Sequence, residues 1–322
     1  VSSGAEGVRH LLRDDDLTPA EQAEVLALAA ALKAAPWSRR PLAGPRTVAL
    51  VFDRATLRTQ SSFAAGVAEL GGFPLTVDGV LAGIGQRESV ADTARVLGRQ
   101  ASAIVWRTGH QADLEEMAAH AGVPVLNALT DDFHPCQLLA DLLTVQEHVG
   151  PLAGTTVTFL GDAACNMGNS WALAGAVAGM HVRASAPAGY QPDAAVVARA
   201  REIGSATGGT VTLEPDPEKA VDGAQVVVTD TWVSMGREEQ AEARLADLAP
   251  YSLTAALLER AAPDAVAMHC LPAYRGKEIS AEVLDGPRSV VWDEAENRRH
   301  VQKAVLDFVL RRSGLAAEEG AA

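Results

Sequence analysis

The chain has 322 residues, 48% of them hydrophobic and only 4% aromatic, so it is long enough for two domains with cores built of Ala, Val and Leu. A formal net charge of −14 argues against a general nucleic-acid binder, which needs a basic surface to neutralise phosphates, but leaves room for a local basic pocket that takes a small anion. Three scattered cysteines, Cys136, Cys165 and Cys270, make neither a disulfide framework nor a paired zinc motif, no apolar run reaches membrane-spanning length, and the opening residues lack a charged stretch followed by an apolar one. A cytoplasmic protein is the expectation.

The first helix is announced by Leu17-Thr18-Pro19-Ala20-Glu21. Thr18 suits the N-cap, Pro19 suits the first helical position, and Glu21 completes a capping box; an Ala/Leu helix then runs to Lys33. Thr47 to Phe52 reads as a buried strand, followed by a polar turn from Asp53 to Gln60 and a helix from about Ser61 to Leu70. Ala103 to Trp106 is another strand, followed by Arg107. Val123 to Leu126 is a third short apolar run, and Phe133 to His148 reads as a helix leading out of a first domain at 1–150. Pro151-Leu152-Ala153-Gly154 opens a second at 151–322. There, Thr155 to Leu160 enters a polar loop, and a helix and the strand His181 to Ser185 follow, a unit of doubly wound type. Val226 to Thr229, Ala265 to Met268 and Ser289 to Trp292 read as further strands, and Val301 to Arg311 as a closing helix that returns towards the N-terminal half.

Polar clusters follow these runs. Thr56, Arg58 and Thr59 stand where a helix begins after a strand, and hydroxyls, a guanidinium and backbone N–H groups there make an anion site. An ordinary capped helix with a solvated arginine is the competing reading. Arg107 again puts a guanidinium at a strand end, and His134 and Gln137 add an imidazole and an amide. Three donor sets in one half of the chain are better explained by a shared oxyanion pocket. Gly161 to Asn169 does not match the glycine spacing of a dinucleotide loop, which leaves Asn166 as a candidate ligand amide. Thr229-Asp230-Thr231-Trp232-Val233-Ser234-Met235-Gly236 and His269-Cys270-Leu271-Pro272 follow two buried runs and should face one crevice. A carboxylate and a hydroxyl suit an amino-acid head group, and a thiol suits a reacting amine. Cys270 is equally readable as a buried structural thiol, His269 as a satisfied core histidine, and Asp293 to Arg298 as a solvated charged turn.

The segments RDDDLTPAEQ, HPCQLLADLLTVQEH, GDAACNMGNS, TDTWVSMG, MHCLPAYRG and DEAENRRHVQKA together resemble the ornithine branch of the aspartate/ornithine carbamoyltransferase family, from about Val8 to Arg311. The resemblance implies an α/β protein of two doubly wound domains with parallel sheets and an active-site cleft between them, assembled as a homotrimer. It implies carbamoyl transfer from carbamoyl phosphate to the δ-amine of L-ornithine, giving citrulline and phosphate in arginine biosynthesis, with no cofactor and no metal, and without nucleic-acid or membrane partners. Donor ligands implied are Thr56, Leu57 through its backbone, Arg58, Thr59, Arg107, His134 and Gln137. Arg58, Arg107 and His134 would stabilise charge developing on the reacting group, with Cys270 the fourth catalytic residue. Acceptor ligands implied are Asn166, Asp230, Ser234 and Met235, with Cys270 and the Leu271 carbonyl meeting the δ-amine and Arg298 helping to close the site.

The chain departs from the family in its donor half. The family's Ser-Thr-Arg-Thr-Arg loop is Thr56-Leu57-Arg58-Thr59-Gln60 here, Gly83 stands where a glutamine is usual, and Cys165 replaces the first of two asparagines. A lost hydrogen bond to a charged group costs roughly 1.5–3 kcal/mol, so two losses would weaken donor binding by about two to four orders of magnitude. Two alternatives follow. One is a paralogue with an intact amino-acid site but another donor or altered chemistry; the other is a catalytically weak binding or regulatory subunit, against which the surviving Arg58, Arg107, His134 and Cys270 argue.

Overall fold

A computed structural model describes residues 7–233 and 238–317, and among these described residues nine strands form two parallel sheets. Contacts divide the chain into unit 1, residues 1–139 and 297–322, and unit 2, residues 140–296, so the chain passes between units within the helices Pro135–His148 and Val291–Arg312.

In unit 1, β1 (Thr47–Phe52), β2 (Phe73–Asp78), β3 (Ala103–Arg107) and β4 (Val125–Leu129) form a sheet of order β2-β1-β3-β4, parallel throughout. The central strands β1 and β3 are almost wholly buried, as continuous apolar runs require when both faces are covered. β2 carries Pro74 and is partly exposed; the outer place in the sheet tolerates a residue with no N–H to donate. Beyond β4, Leu11 makes a parallel bridge to Leu126: its N–H donates to the Val125 carbonyl at 3.0 Å, and its carbonyl accepts from Asn127 at 2.8 Å. His10 Nδ1 accepts the Val125 N–H at 3.0 Å. The Pro19–Ala34 helix opens with the expected reciprocal box, in which Thr18 Oγ1 accepts from the Glu21 N–H and the Glu21 carboxylate from the Thr18 N–H.

In unit 2, β5 (Thr156–Leu160), β6 (His181–Ser185), β7 (Thr210–Leu213), β8 (Val226–Thr229) and β9 (Val266–His269) form a second parallel sheet of order β7-β6-β5-β8-β9. The Asn166–Val177 helix is buried almost all round. Ser289 to Trp292 is not a strand: Ser289 makes one bridge to Ala267, and Val291 already begins the Val291–Arg312 helix. Four apolar residues cannot distinguish strand from helix, and Asp293 and Glu294 in the first turn favour the helix by meeting the positive end of its dipole. Among the described residues no helix is long and apolar enough to cross a membrane.

The strand orders locate the clusters. In each sheet the direction of winding reverses once, between β1 and β3 in unit 1 and between β5 and β8 in unit 2. Open α/β sheets leave a crevice beyond the carboxyl ends of the strands at that reversal. Thr56 to Thr59 follow β1 and Arg107 ends β3; Asn166 lies in the loop and helix after β5, and Asp230 follows β8 directly.

Candidate active site: an anion cluster and an amine cluster

The anion cluster belongs to unit 1. Thr59, in the first turn of the Arg58–Glu69 helix, is buried, and its hydroxyl oxygen accepts from Arg298 Nη2 at 2.7 Å and from Arg107 Nη1 at 3.5 Å. His134, just before the Pro135–His148 helix, is buried, as is Gln137 one turn on. Burial first, then the positive charges of Arg298, Arg107 and Arg58, hold the His134 imidazole well below its usual range. It is therefore neutral at pH 7, with a ring nitrogen able to donate and another able to accept. Three permanent cations around a neutral imidazole and a hydroxyl suit an oxyanion with several oxygens. Arg298 thus falls within the unit 1 cluster.

Leu57 precedes the helix with its side chain 76% exposed, and it supplies no side-chain cap. Thr56 is half-buried and Gln60 is exposed. Gly83 ends the short Gly79–Ala82 helix at φ 68°, and a Cβ there would press on Arg87 Cγ at 3.0 Å. A glutamine does not fit this backbone without rearrangement, because only glycine takes the left-handed region at no cost. Cys136 is buried with its thiol pushed up to about 12 by burial, and so serves as core.

The amine cluster belongs to unit 2. Cys270, directly after β9, donates its thiol proton to Asp230 Oδ1 at 3.2 Å. Burial raises the Asp230 carboxyl, opposed by hydrogen bonds from the Thr231 N–H and the Cys270 thiol; burial and then the Asp230 charge push the Cys270 thiol well above its ordinary value. Cys270 is thus a neutral hydrogen-bonding thiol and not a thiolate nucleophile. His269 is fully buried. Its Nδ1 accepts the Leu271 N–H at 2.9 Å, which puts the ring proton on Nε2, 3.3 Å from Glu278 Oε1. That pair holds Leu271 at φ 59°, a conformation that costs a branched residue about 1–2 kcal/mol. Glu278 was invisible to motif reading, because it sits in an irregular loop with no periodicity to mark it.

Asp230, His269 and Cys270 bring one candidate metal-ligand atom each within 4.8 Å of one another. Both nitrogens of His269 are engaged and the Cys270 thiol keeps its proton, so the trio reads as a hydrogen-bond network more than a cation cage. Asn166 opens its helix after β5, half-buried, beside Cys165, whose thiol burial also raises. Ser234 and Met235 lie outside the described residues. Asp293 pairs with His148 at 2.8 Å, and the buried Glu294 carboxylate accepts the His269 N–H at 3.0 Å, so that acidic segment is at least partly structural.

Residues 9–147 match the carbamoyl-P binding domain and residues 153–309 the Asp/Orn binding domain of the aspartate/ornithine carbamoyltransferase family. An ornithine carbamoyltransferase of Clavibacter michiganensis is 63% identical over 305 residues, covering 95% of this chain and 99% of the relative. One of Renibacterium salmoninarum is 57% identical over 309 residues, with 95% and 99% covered. Among solved structures, ornithine carbamoyltransferase from Pyrococcus furiosus superposes with a TM-score of 0.89 at 41% identity, covering 93% of this chain and 96% of that one. The enzyme from Gloeobacter violaceus gives 0.85 at 44%, covering 94% and 98%.

Proposed function

The chain belongs to the aspartate/ornithine carbamoyltransferase family, and from that premise we propose that it transfers the carbamoyl group of carbamoyl phosphate to the δ-amine of L-ornithine. The observation that carries the reading is the separation of chemistries: a tri-arginine cluster around neutral His134 in unit 1 and a protonated thiol on a carboxylate in unit 2. The first suits an acyl phosphate and the second an amine. No observation favours another donor or a purely regulatory role.

In the proposed reaction the neutral δ-amine attacks the carbamoyl carbon. A C–N bond forms, and the C–O bond to phosphate breaks as the tetrahedral intermediate collapses. The amine's surplus proton leaves with the phosphate. Arg58, Arg107 and Arg298 hold the phosphate and carbamoyl oxygens, and His134 hydrogen-bonds the carbamoyl oxygen as negative charge grows there. Thr56, the Leu57 N–H, Thr59 and Gln137 complete the donor contacts. Asp230, the Cys270 thiol and the Leu271 carbonyl orient the amine with its lone pair directed at carbon, while Asn166, Ser234 and Met235 take the α-amino and α-carboxylate groups.

We further propose a cytoplasmic homotrimer acting in arginine biosynthesis. The test is direct: purified protein with both substrates is assayed for citrulline, and its mass in solution is measured. Ornithine-dependent citrulline formation is expected, and its absence at saturating substrates rejects the reading.

A further inference from the structure

A buried ion pair that the reaction itself does not use holds the segment that follows Asp230. Asp162 follows β5 by two residues and is 2% exposed; Arg244, in the Ala241–Leu248 helix, is 4% exposed. Arg244 Nη2 donates to Asp162 Oδ2, and Arg244 Nε donates to the carbonyl of Trp232 at 2.6 Å. One guanidinium therefore joins the end of β5 to the segment that has just left β8, two residues beyond Asp230. Its outer face is covered by the Tyr190 ring, 5.0 Å from centroid to guanidinium carbon, and the Tyr190 hydroxyl donates to Asp247 at 3.0 Å.

The same segment is fixed from its side-chain end. Trp232 is buried against Gly161: φ there is 103°, and a Cβ would come within 2.6 Å of the indole nitrogen. Trp232 is thus pinned twice on the Gly161-Asp162 turn, by its ring on the glycine and by its carbonyl through Arg244. A charged pair taken out of water is an expensive way to hold one carbonyl, and an apolar pair of equal size would pack as well. What the fork supplies is direction: two donors in a rigid plane, aimed at two different segments.

We propose that Arg244 is a positioning residue for the acceptor amine: by tying the Trp232 carbonyl to Asp162 it fixes the Asp230 carboxylate against the Cys270 thiol. This rests on the assignment of Asp230 and Cys270 to the ornithine side. Arg244 touches no reacting atom. Its loss changes where Asp230 stands, so the acceptor site loosens while the cluster around His134 in unit 1 is untouched.

Steady-state kinetics with each substrate varied tests this. Arg244→Gln should raise the ornithine KM at least tenfold and leave the carbamoyl phosphate KM within twofold, with Arg244→Lys in between because an ammonium keeps the charge but not the fork. Tyr190→Leu, which strips the cover from a partly exposed site, should raise the ornithine KM about threefold, and Tyr190→Phe, which keeps the ring, should not. Tyr190 also decides the matter if Arg244→Gln does not fold. Equal rises in both KM values, an unchanged ornithine KM in folded Arg244→Gln, or identical behaviour of the two Tyr190 variants overturns the proposal. A wild-type protein that makes no citrulline overturns the functional reading and this proposal with it, whereas citrulline formation with an indifferent Arg244 overturns the positioning role alone.

Discussion

His134 and Leu57 show how single residues shape the proposed donor side. Burial and three arginines depress the His134 pKa below the 6.5 of an unfolded chain. The unfolded state therefore binds the proton first as pH falls. The native state keeps its full advantage above pH 6.5 and loses it as the pH drops towards the depressed value, at no more than about 1.4 kcal/mol per pH unit. His134→Gln should accordingly lose about 1 kcal/mol less than wild type between pH 7 and pH 5.5 in urea unfolding; parallel losses would show that His134 is not the titrating group. Leu57 exposes most of its side chain just before the Arg58–Glu69 helix, beside the proposed donor ligands. Leu57→Thr should lower the carbamoyl phosphate KM by about tenfold, the worth of one hydrogen bond to a charged group. Gln60 is exposed, so restoring an arginine there should change donor affinity less than Leu57→Thr does.

Among the elements, the Val291–Arg312 helix stands out for what it buries. Lys303 is wholly buried and donates to the carbonyls of Leu32 at 3.3 Å and Pro36 at 3.4 Å and to the carboxylate of Glu69. Glu69 also meets Arg299 at 3.3 Å, so the end of the Arg58–Glu69 helix is anchored opposite the turn that carries Thr59. Glu69→Ala strands a buried ammonium and should cost about 3–5 kcal/mol in chemical unfolding, while Glu69→Leu with Lys303→Met should cost far less. A double variant as unstable as the single one would mean that packing, and not charge, decides the site. None of this showed in the sequence, where Lys303 and Glu69 sit in ordinary helical surroundings 234 residues apart. Two buried strands were legible because apolar runs bounded by turn residues suit a parallel sheet: Thr47–Phe52 and Val226–Thr229 fall where the pattern puts them, and His181–Ser185 falls where the strand–loop–helix unit before it calls for the next strand. β2 was not, since Pro74 and its partial exposure erase the signal, and Ser289 to Trp292 misled because a short apolar run fits either element. The polar residues at strand ends were legible as chemistry. The long-range partners Glu278 and Arg244 were not, because hydrogen-bond geometry across loops leaves no periodic trace.

For the molecule as a whole, the charge is uneven: a chain of net charge −14 gathers Arg58, Arg107 and Arg298 about one imidazole. An anion that settles there relieves the mutual repulsion of the guanidiniums and binds only the folded form. Carbamoyl phosphate at a hundred times its dissociation constant should raise unfolding free energy by about 2.7 kcal/mol, and salt should diminish the affinity behind it. Denaturant titration with and without the ligand at 25 °C checks this; an unchanged midpoint at saturating donor would remove the anion pocket from the account.

The short bridge from Leu11 to β4 reaches beyond the site. Without residues 10–12, one side of β4 would present bare amides and carbonyls, a template on which another molecule's strand can assemble. The opening segment is thus a guard against fibrous self-association, and trimming it away to make a tidier protein would trade solubility for precipitation.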